Sequence, residues 1–423
     1  MMKSVLALVA VLAVLVVPVS GDRGVAQTQG AVVKIGVLLP LTGNFGGTGK
    51  SISDGVQWMA EEVINAGGGI KGLGGAKIKI VRADTTSEAK VALGEMDKLL
   101  SVEKPALVIG PYATGEANSA APLLEKYKVP GLGVRTTGDP IFPLDLRYWR
   151  TIAVPSKDYG ASFARHVLAL KKEFGIKTDR IVILGGDASW WREFGRVGAR
   201  EVLEKAGLGS SIVGDILYDP KAKDFGPVIA KVKALNPDVL IHGSYFEEGI
   251  LIHKARHALD FFPPVIVATD SAYVTPKVAD AIGIDMARAT VMGKGVFGDG
   301  YWSSAVPIKS SQELAAKAMK WAAPKKIEVD VDFMMGVQAM ILARRALEAA
   351  GDADPQRIND AFHKMEVKLG DPDFLIPAFA PAIAWEPNGR PRHADWVTYQ
   401  WKSKDSWVVI YPKELRTGAP TFK

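Results

Sequence analysis

The sequence feature that most constrains the fold is an alternation of short Val- and Ile-rich runs with helical patterns, from residue 32 almost to the C-terminus. Strands of a parallel sheet are buried on both faces, so they read as continuous apolar runs separated by crossover helices. The pattern therefore predicts an α/β fold with two groups of parallel strands. The predicted strands are 32–39, 77–82, 106–110 and 131–134 in the first group, and 181–185, 212–218, 239–243 and 265–268 in the second.

The helices and the C-terminal segment can also be read from spacing. Ile52, Val56, Met59 and Val63 fall on one helical face, and the glycines of 67–69 end that helix. Residues 147–155 connect the first group of strands to the second. Short β pieces are predicted at 396–401 and 407–411.

The N-terminus predicts export. A basic start at Lys3 precedes an apolar run over 5–19 and then small residues, the pattern of a signal peptide within residues 1–26. The run is shorter than the roughly 20 apolar residues that span a bilayer, which favours cleavage over anchoring. Cleavage after Ala26 or after Gly21 fits equally, and we expect a periplasmic protein. The chain has no cysteine, which excludes disulfides and a lipid anchor on cysteine.

Length and charge limit the function classes. A chain of 423 residues can form two domains, each with its own core. The formal net charge of +6 is modest for this length, and no basic run interleaved with aromatic residues points to nucleic acid. We expect a monomer without cofactor or metal.

Two motifs suggest chemistry but are incomplete. NFGGTGKS at 44–51 approaches a phosphate-binding loop, but Asn44 stands where that loop needs its first glycine. His253 and His257 are four residues apart on a predicted helix, but a third metal ligand is missing nearby, which favours a solvated helix face. No catalytic constellation stands out, so we expect a protein that is not an enzyme.

Polar residues follow two strands of the first group. Thr114 stands where it can cap a helix, so that its hydroxyl and the free N–H groups there can bind a carboxylate. Arg135, Thr136 and Thr137 follow the next strand. Because the carboxyl ends of parallel strands share one edge of a sheet, these residues are predicted to converge on a ligand.

Aromatic residues and a carboxylate follow the strands of the second group. Trp190 and Trp191 follow one strand, Tyr245 follows the next, and Asp270 follows a third. Aromatic side chains beside a carboxylate can enclose an apolar ligand body and hold an ammonium group. The pattern is typical of an amino-acid site.

Several segments resemble the branched-chain amino acid binding family of periplasmic proteins that serve ABC importers, and the resemblance covers nearly the whole predicted mature chain. They are IGVLLPLTG at 35–43, NAGGGIKG at 65–72, VIGP at 108–111, and DF at 224–225 before a helix that ends in NPD at 236–238.

The resemblance implies two Rossmann-like lobes joined by a three-segment hinge, with crossovers near Thr151, Gly295 and Ala380. Lobe 1 would comprise 31–151 and 296–380, and lobe 2 would comprise 152–295 and 381–423. It also implies a cleft that closes over an amino acid and an importer permease in the inner membrane as partner.

The resemblance assigns roles to individual residues. Thr114, Thr136 and Thr137 would bind the ligand carboxylate, Trp191 and Tyr245 would line the cleft in the second lobe, and Asp270 would receive the α-ammonium. Arg135 departs from the pattern, and it could favour an aromatic acid or form a salt bridge at the lobe edge. The alternatives are a binding protein for aromatic acids or amides, a membrane-tethered sensor of the same fold, and an exported enzyme.

Overall fold

The computed structural model describes residues 31–403 and 406–422, apart from the side chains of Asp270 and Ser271. The predicted signal peptide, residues 1–26, lies outside the described residues. Among the helices that the structure describes, none combines the length and the apolar character needed to cross a membrane.

The first lobe is built on a sheet of five parallel strands in the order β2-β1-β3-β4-β5. All four predicted strands are confirmed, and the segment that carries the chain out of the lobe adds a fifth. The strands are β1 (Val32–Leu39), β2 (Lys77–Asp84), β3 (Leu107–Ile109), β4 (Gly131–Val134) and β5 (Trp149–Ile152).

The second lobe contains a seven-stranded sheet in the order β14-β13-β10-β9-β8-β6-β7. Its parallel part confirms the second group of predicted strands, and the β pieces near the C-terminus form its antiparallel edge. The strands are β6 (Ile181–Gly186), β7 (Ile212–Tyr218), β8 (Val239–Gly243), β9 (Val265–Thr269) and β10 (Val296–Gly300); β11 (Val367–Lys368) and β12 (Ala382–Ile383), which pair separately; and β13 (Val397–Ser403) and β14 (Ser406–Tyr411).

The position of β10 corrects one lobe boundary. The resemblance implied that lobe 1 resumes at residue 296, but β10 pairs with β9 and β13 in the second sheet. Residues 296–300 therefore belong to the second lobe, and the chain crosses to the first lobe after Gly300. The other lobe limits stay predictions.

Helices cover both sheets, as the α/β prediction requires. In chain order they are α1 (Gly46–Trp58), α2 (Ala89–Lys98), α3 (Thr114–Ala120), α4 (Pro122–Tyr127), α5 (Ser156–Phe174), α6 (Arg196–Lys205), α7 (Gly226–Ala234), α8 (Phe246–Ala258), α9 (Asp270–Tyr273), α10 (Pro276–Ile282), α11 (Ile284–Thr290), α12 (Lys309–Ala322), α13 (Val331–Ala350) and α14 (Pro355–Lys364).

Helix α13 returns the chain to the first lobe by packing against α1. Gly55 and Gly336 allow the two backbones to approach closely, since a Cβ on Gly55 would lie 2.0 Å from the carbonyl oxygen of Phe333. This contact fixes the N-terminus of α13, which carries Asp330 and Asp332, close to the end of β4.

Candidate ligand site between the lobes

A cavity of about 500 Å³, counting its open side, lies between the two lobes. Its walls come from residues that follow the carboxyl ends of β3 and β4 in the first lobe, and of β6, β8 and β10 in the second, together with α5. We call it the interlobe cavity. The described residues that line it are Tyr112, Ala113, Thr114, Arg135, Thr137, Tyr159, Trp190, Ser244, Tyr245 and Tyr301.

Thr114 and Thr137 form the hydroxyl-bearing part of the first-lobe wall. Thr114 is the first residue of α3, and the N-cap position is taken by Ala113, whose N–H donates to the Glu116 carboxylate at 3.2 Å. Thr114 therefore does not cap the helix, which corrects that prediction. Gly138 makes room for the Thr114 side chain, since a Cβ there would lie 2.2 Å from its methyl carbon.

Arg135 brings a positive charge to the cavity. Its backbone is in the left-handed region, with φ at +61°. Its guanidinium pairs with Asp332, with Nη1 and Oδ1 3.0 Å apart, and lies 4.9 Å from the ring centroid of Tyr301. Both charged side chains are about nine-tenths buried, so this is not the surface salt bridge that we considered. A buried pair of this kind holds the guanidinium in one orientation.

Thr136 does not face the cavity. It is fully buried, and its hydroxyl donates to the carbonyl oxygens of Pro111, at 2.6 Å, and Tyr112, at 3.0 Å. The predicted contact between its hydroxyl and the ligand is therefore wrong. Thr136 instead holds together the loops that follow β3 and β4.

Aromatic residues form the second-lobe wall. The ring of Trp190 lies 5.4 Å from that of Tyr159 and 5.5 Å from that of Tyr245. These separations fall in the range of tilted and edge-to-face aromatic pairs, which stabilise each other beyond simple burial. The wall is therefore a fixed apolar surface.

Trp191, in contrast, belongs to the core. It is fully buried and packs between the ends of β6 and β8, where Gly185 and Gly243 leave space for the indole. A Cβ on Gly185 would lie 2.0 Å from its Nε1. The prediction that Trp191 lines the cleft is wrong, and Trp190 takes that place because these glycines admit only the second indole.

Tyr245 lies at the N-cap position of α8, where its N–H donates to Glu248 Oε1 at 2.7 Å. Burial raises the pKa of the Glu248 carboxyl to about 7. Burial also raises the pKa of the Tyr245 phenol, with the neighbouring Tyr112 adding to the effect, so the phenol stays neutral.

Phe45 is a site residue that sequence reasoning missed. Its ring lies 5.6 Å from Tyr112 of the first lobe and 5.4 Å from Tyr245 of the second. It thus closes an aromatic contact between the lobes at the edge of the cavity.

Two further lining residues, Tyr112 and Tyr301, were also missed. Both follow a strand, Tyr112 at the third position after β3 and Tyr301 directly after β10. The signal that could have found them is the one used for Tyr245, an aromatic residue just past a strand end. The hydroxyl oxygen of Tyr301 also accepts the N–H of Val154 at 3.0 Å.

Asp270 begins α9 directly after β9. Its side chain lies outside the described residues, so the predicted contact with an ammonium group stays a prediction.

The two incomplete motifs have structural roles. Ser51, from the glycine-rich segment, donates to Asp330 Oδ1 at 2.6 Å.

His253 is fully buried, its imidazole contacts the carbonyl oxygen of Ala272, and burial lowers its pKa to about 3. The expected solvated face is therefore wrong for His253, although His257 is exposed. Within the described residues, no group of three His, Cys, Asp or Glu side chains is placed to hold a metal ion.

The family model described as "Periplasmic binding protein" matches residues 32–406. The chain belongs to this family. A relative from Brucella abortus, a Leu/Ile/Val-binding protein homolog, is 27% identical over 62% of this chain and 65% of its own length. The chain therefore covers slightly less than two thirds of that relative.

Solved structures show the same two-lobed fold for this periplasmic binding protein. The branched-chain amino acid transporter substrate-binding protein LivJ from Streptococcus pneumoniae, in complex with isoleucine, has a TM-score of 0.72 at 18% identity and covers 90% of this chain and 100% of its own. A solute-binding protein from R. palustris in complex with benzoate has a TM-score of 0.72 at 19% identity and covers 93% and 98%. The resemblance to the branched-chain amino acid binding family, and the fold it implied, are confirmed.

Proposed function

We propose that this protein is a non-enzymatic, exported solute-binding protein that captures a small carboxylate with an aromatic body and delivers it to an ABC importer. The observation that carries the proposal is the meeting of aromatic side chains from both lobes around Arg135 and Thr114. A flat apolar ligand body fits between such rings, and its carboxylate fits a guanidinium and hydroxyl groups.

The second candidate is an amino acid, the ligand class that the sequence favoured. It is supported by the position of Asp270 at the end of β9, beside β8, after which Ser244 and Tyr245 line the cavity. The related proteins support either class, since LivJ was solved with isoleucine and the R. palustris protein with benzoate.

Calorimetry with benzoate, 4-hydroxybenzoate, phenylalanine and leucine separates the two candidates. We expect the two benzoates to bind at micromolar concentration or tighter, which needs about 8 kcal/mol. Tight binding of the amino acids with no response to the benzoates would overturn the first candidate in favour of the second. In that case Asp270→Asn should weaken phenylalanine by more than tenfold, because it removes one partner of a charge pair.

Thr114→Val tests the carboxylate end without changing side-chain shape. Loss of a hydrogen bond to a charged group costs about 1.5–3 kcal/mol, so we expect benzoate affinity to fall at least tenfold at unchanged melting temperature. Ser119→Ala is the matched control on α3, because its hydroxyl donates within the same helix, to Gly115 O at 3.1 Å. Equal affinities for the two variants would contradict the role of Thr114.

A further inference from the structure

A second cleft, of about 790 Å³, lies between the lobes and shares no described lining residue with the interlobe cavity. We call it the acidic cleft. On one side are Val274 and Pro276 of the second lobe, together with Trp407 of the edge strand β14. On the other side are Glu328 and Asp330, which precede α13 in the first lobe. It is therefore built from five parts of the chain, the other two being the segment that contains Trp302 and helix α12, which contributes Met319.

The walls of the acidic cleft are largely apolar, with two indoles among them. Trp302 and Trp407 both line it, and the Trp302 N–H is already bonded to Ser311 Oγ at 2.8 Å. Indole faces attract cations because the ring face carries negative charge density. The hydroxyls of Thr275 and Ser303 add hydrogen-bond acceptors to the same walls.

The two carboxylates of the acidic cleft differ in their partners. Asp330 is fully engaged, because it accepts from Ser51 and from Phe333 N, at 2.9 Å, and pairs with Lys277 of the second lobe. Glu328 forms no ion pair with a residue that the structure describes, and its Oε1 is buried without a hydrogen-bond partner. Glu328 thus presents to the cleft a buried carboxyl oxygen that no described residue satisfies.

The surroundings of Glu328 disfavour its charge. Burial, and then the negative charge of Asp330, raise the pKa of the Glu328 carboxyl to about 7 against the opposing effect of Lys277, while Asp280 and Asp332 add to the rise. A cation beside Glu328 would stabilise the carboxylate, so binding of a cation would release a proton near neutral pH.

We propose that the acidic cleft is a second binding site, which takes a small organic ammonium ion with an apolar body and pairs it with the Glu328 carboxylate. The indoles pack on the apolar body and the hydroxyls accept hydrogen bonds from the ammonium group. This proposal does not depend on the proposed function of the interlobe cavity. An ion bound in the acidic cleft would contact both lobes.

Calorimetric titration of the full mature chain with benzylammonium tests the proposal, with benzyl alcohol as the neutral probe of the same shape. We expect saturable 1:1 binding of benzylammonium at pH 8, affinity about tenfold weaker at pH 6, where Glu328 is protonated, and no binding of benzyl alcohol. Equal affinities for the two probes, or no saturation at millimolar benzylammonium, would overturn the proposal.

Two variants assign the site. Glu328→Gln should weaken benzylammonium at least tenfold at pH 8 and abolish the pH dependence. Glu313→Gln removes a carboxylate from exposed surface of α12, where it pairs with Lys309 at 3.9 Å, and should leave binding unchanged. If Glu328→Gln does not fold, the comparison of benzylammonium with benzyl alcohol on the wild-type protein still tests whether the acidic cleft binds an ammonium ion. Loss of benzoate binding by Thr114→Val bears only on the interlobe cavity, so the two proposals fail separately.

Discussion

The interlobe cavity and the acidic cleft are formed by the same two lobes, but they present opposite charges. The cavity holds the Arg135 guanidinium among tyrosine and tryptophan rings, whereas the walls of the cleft contain the Glu328 carboxyl and two indoles. The turn before α13 and its first residues serve both, since Asp332 pairs with Arg135 and Asp330 pairs with Lys277. The comparison shows that the N-terminal end of α13 has two roles. Its Asp332 carboxylate orients the Arg135 guanidinium of the interlobe cavity, and its Asp330 carboxylate adds negative charge to the acidic cleft.

The largest effect is expected where a buried charge pair of the interlobe cavity is broken. Arg135→Met leaves the Asp332 carboxylate, about nine-tenths buried, without this guanidinium, and loss of one partner of a buried pair costs about 3–5 kcal/mol. Urea unfolding should show this loss. The double variant Arg135→Met, Asp332→Leu should recover most of the stability without recovering benzoate affinity. An unchanged free energy of unfolding in the single variant would show that the pair is not structural.

A smaller effect is expected at the ion pair that joins the lobes beside the acidic cleft. Burial opposes the charge on Lys277, but the carboxylates of Asp330 and Asp332 outweigh it and raise the pKa of the ammonium. Lys277→Met should favour the open form and weaken benzoate by about tenfold, or roughly 1.4 kcal/mol. Small-angle scattering should show a larger radius of gyration at subsaturating ligand.

Lys309→Met is the matched control for Lys277→Met. Lys309 is 90% exposed and pairs loosely with Glu313, and exposed pairs of this kind contribute little to stability. Equal benzoate affinities for the two lysine variants would contradict a closing role for Lys277.

The sequence predicted the architecture better than the sites. Buried strands such as β6 can be recognised by their unbroken apolar runs. The predicted strand ends also identified four residues that line the interlobe cavity, Thr114, Arg135, Thr137 and Tyr245. It could not decide between Trp190 and Trp191, because that choice depends on Gly185 and Gly243 facing the second indole across two strands. Nor could it find the acidic cleft, since Val274, Glu328 and Trp407 become neighbours only after folding.

A further effect is expected in the pH dependence of stability. The pKa values of Glu248, behind the interlobe cavity, and Glu328, in the acidic cleft, are both raised to about 7 by burial, from 4.5. The folded state therefore binds more protons than the unfolded chain between these values, so the free energy of unfolding should fall as pH rises from about 4.5 to 7.

Chemical denaturation at pH 5 and pH 8 checks this dependence. Glu248→Gln and Glu328→Gln should each reduce the pH dependence, but only Glu328→Gln should change benzylammonium binding. A pH dependence of stability that neither variant alters would exclude both carboxyls as its source.

The most direct test of the central claim is a crystal structure of the mature protein with benzoate. The account predicts a ligand enclosed between the lobes, its ring between Trp190 and the tyrosines of the cavity, and its carboxylate within hydrogen-bond distance of Thr114 or Arg135. Closed lobes with benzoate bound outside this cavity, or a cavity that benzoate at saturating concentration leaves unfilled, would contradict it.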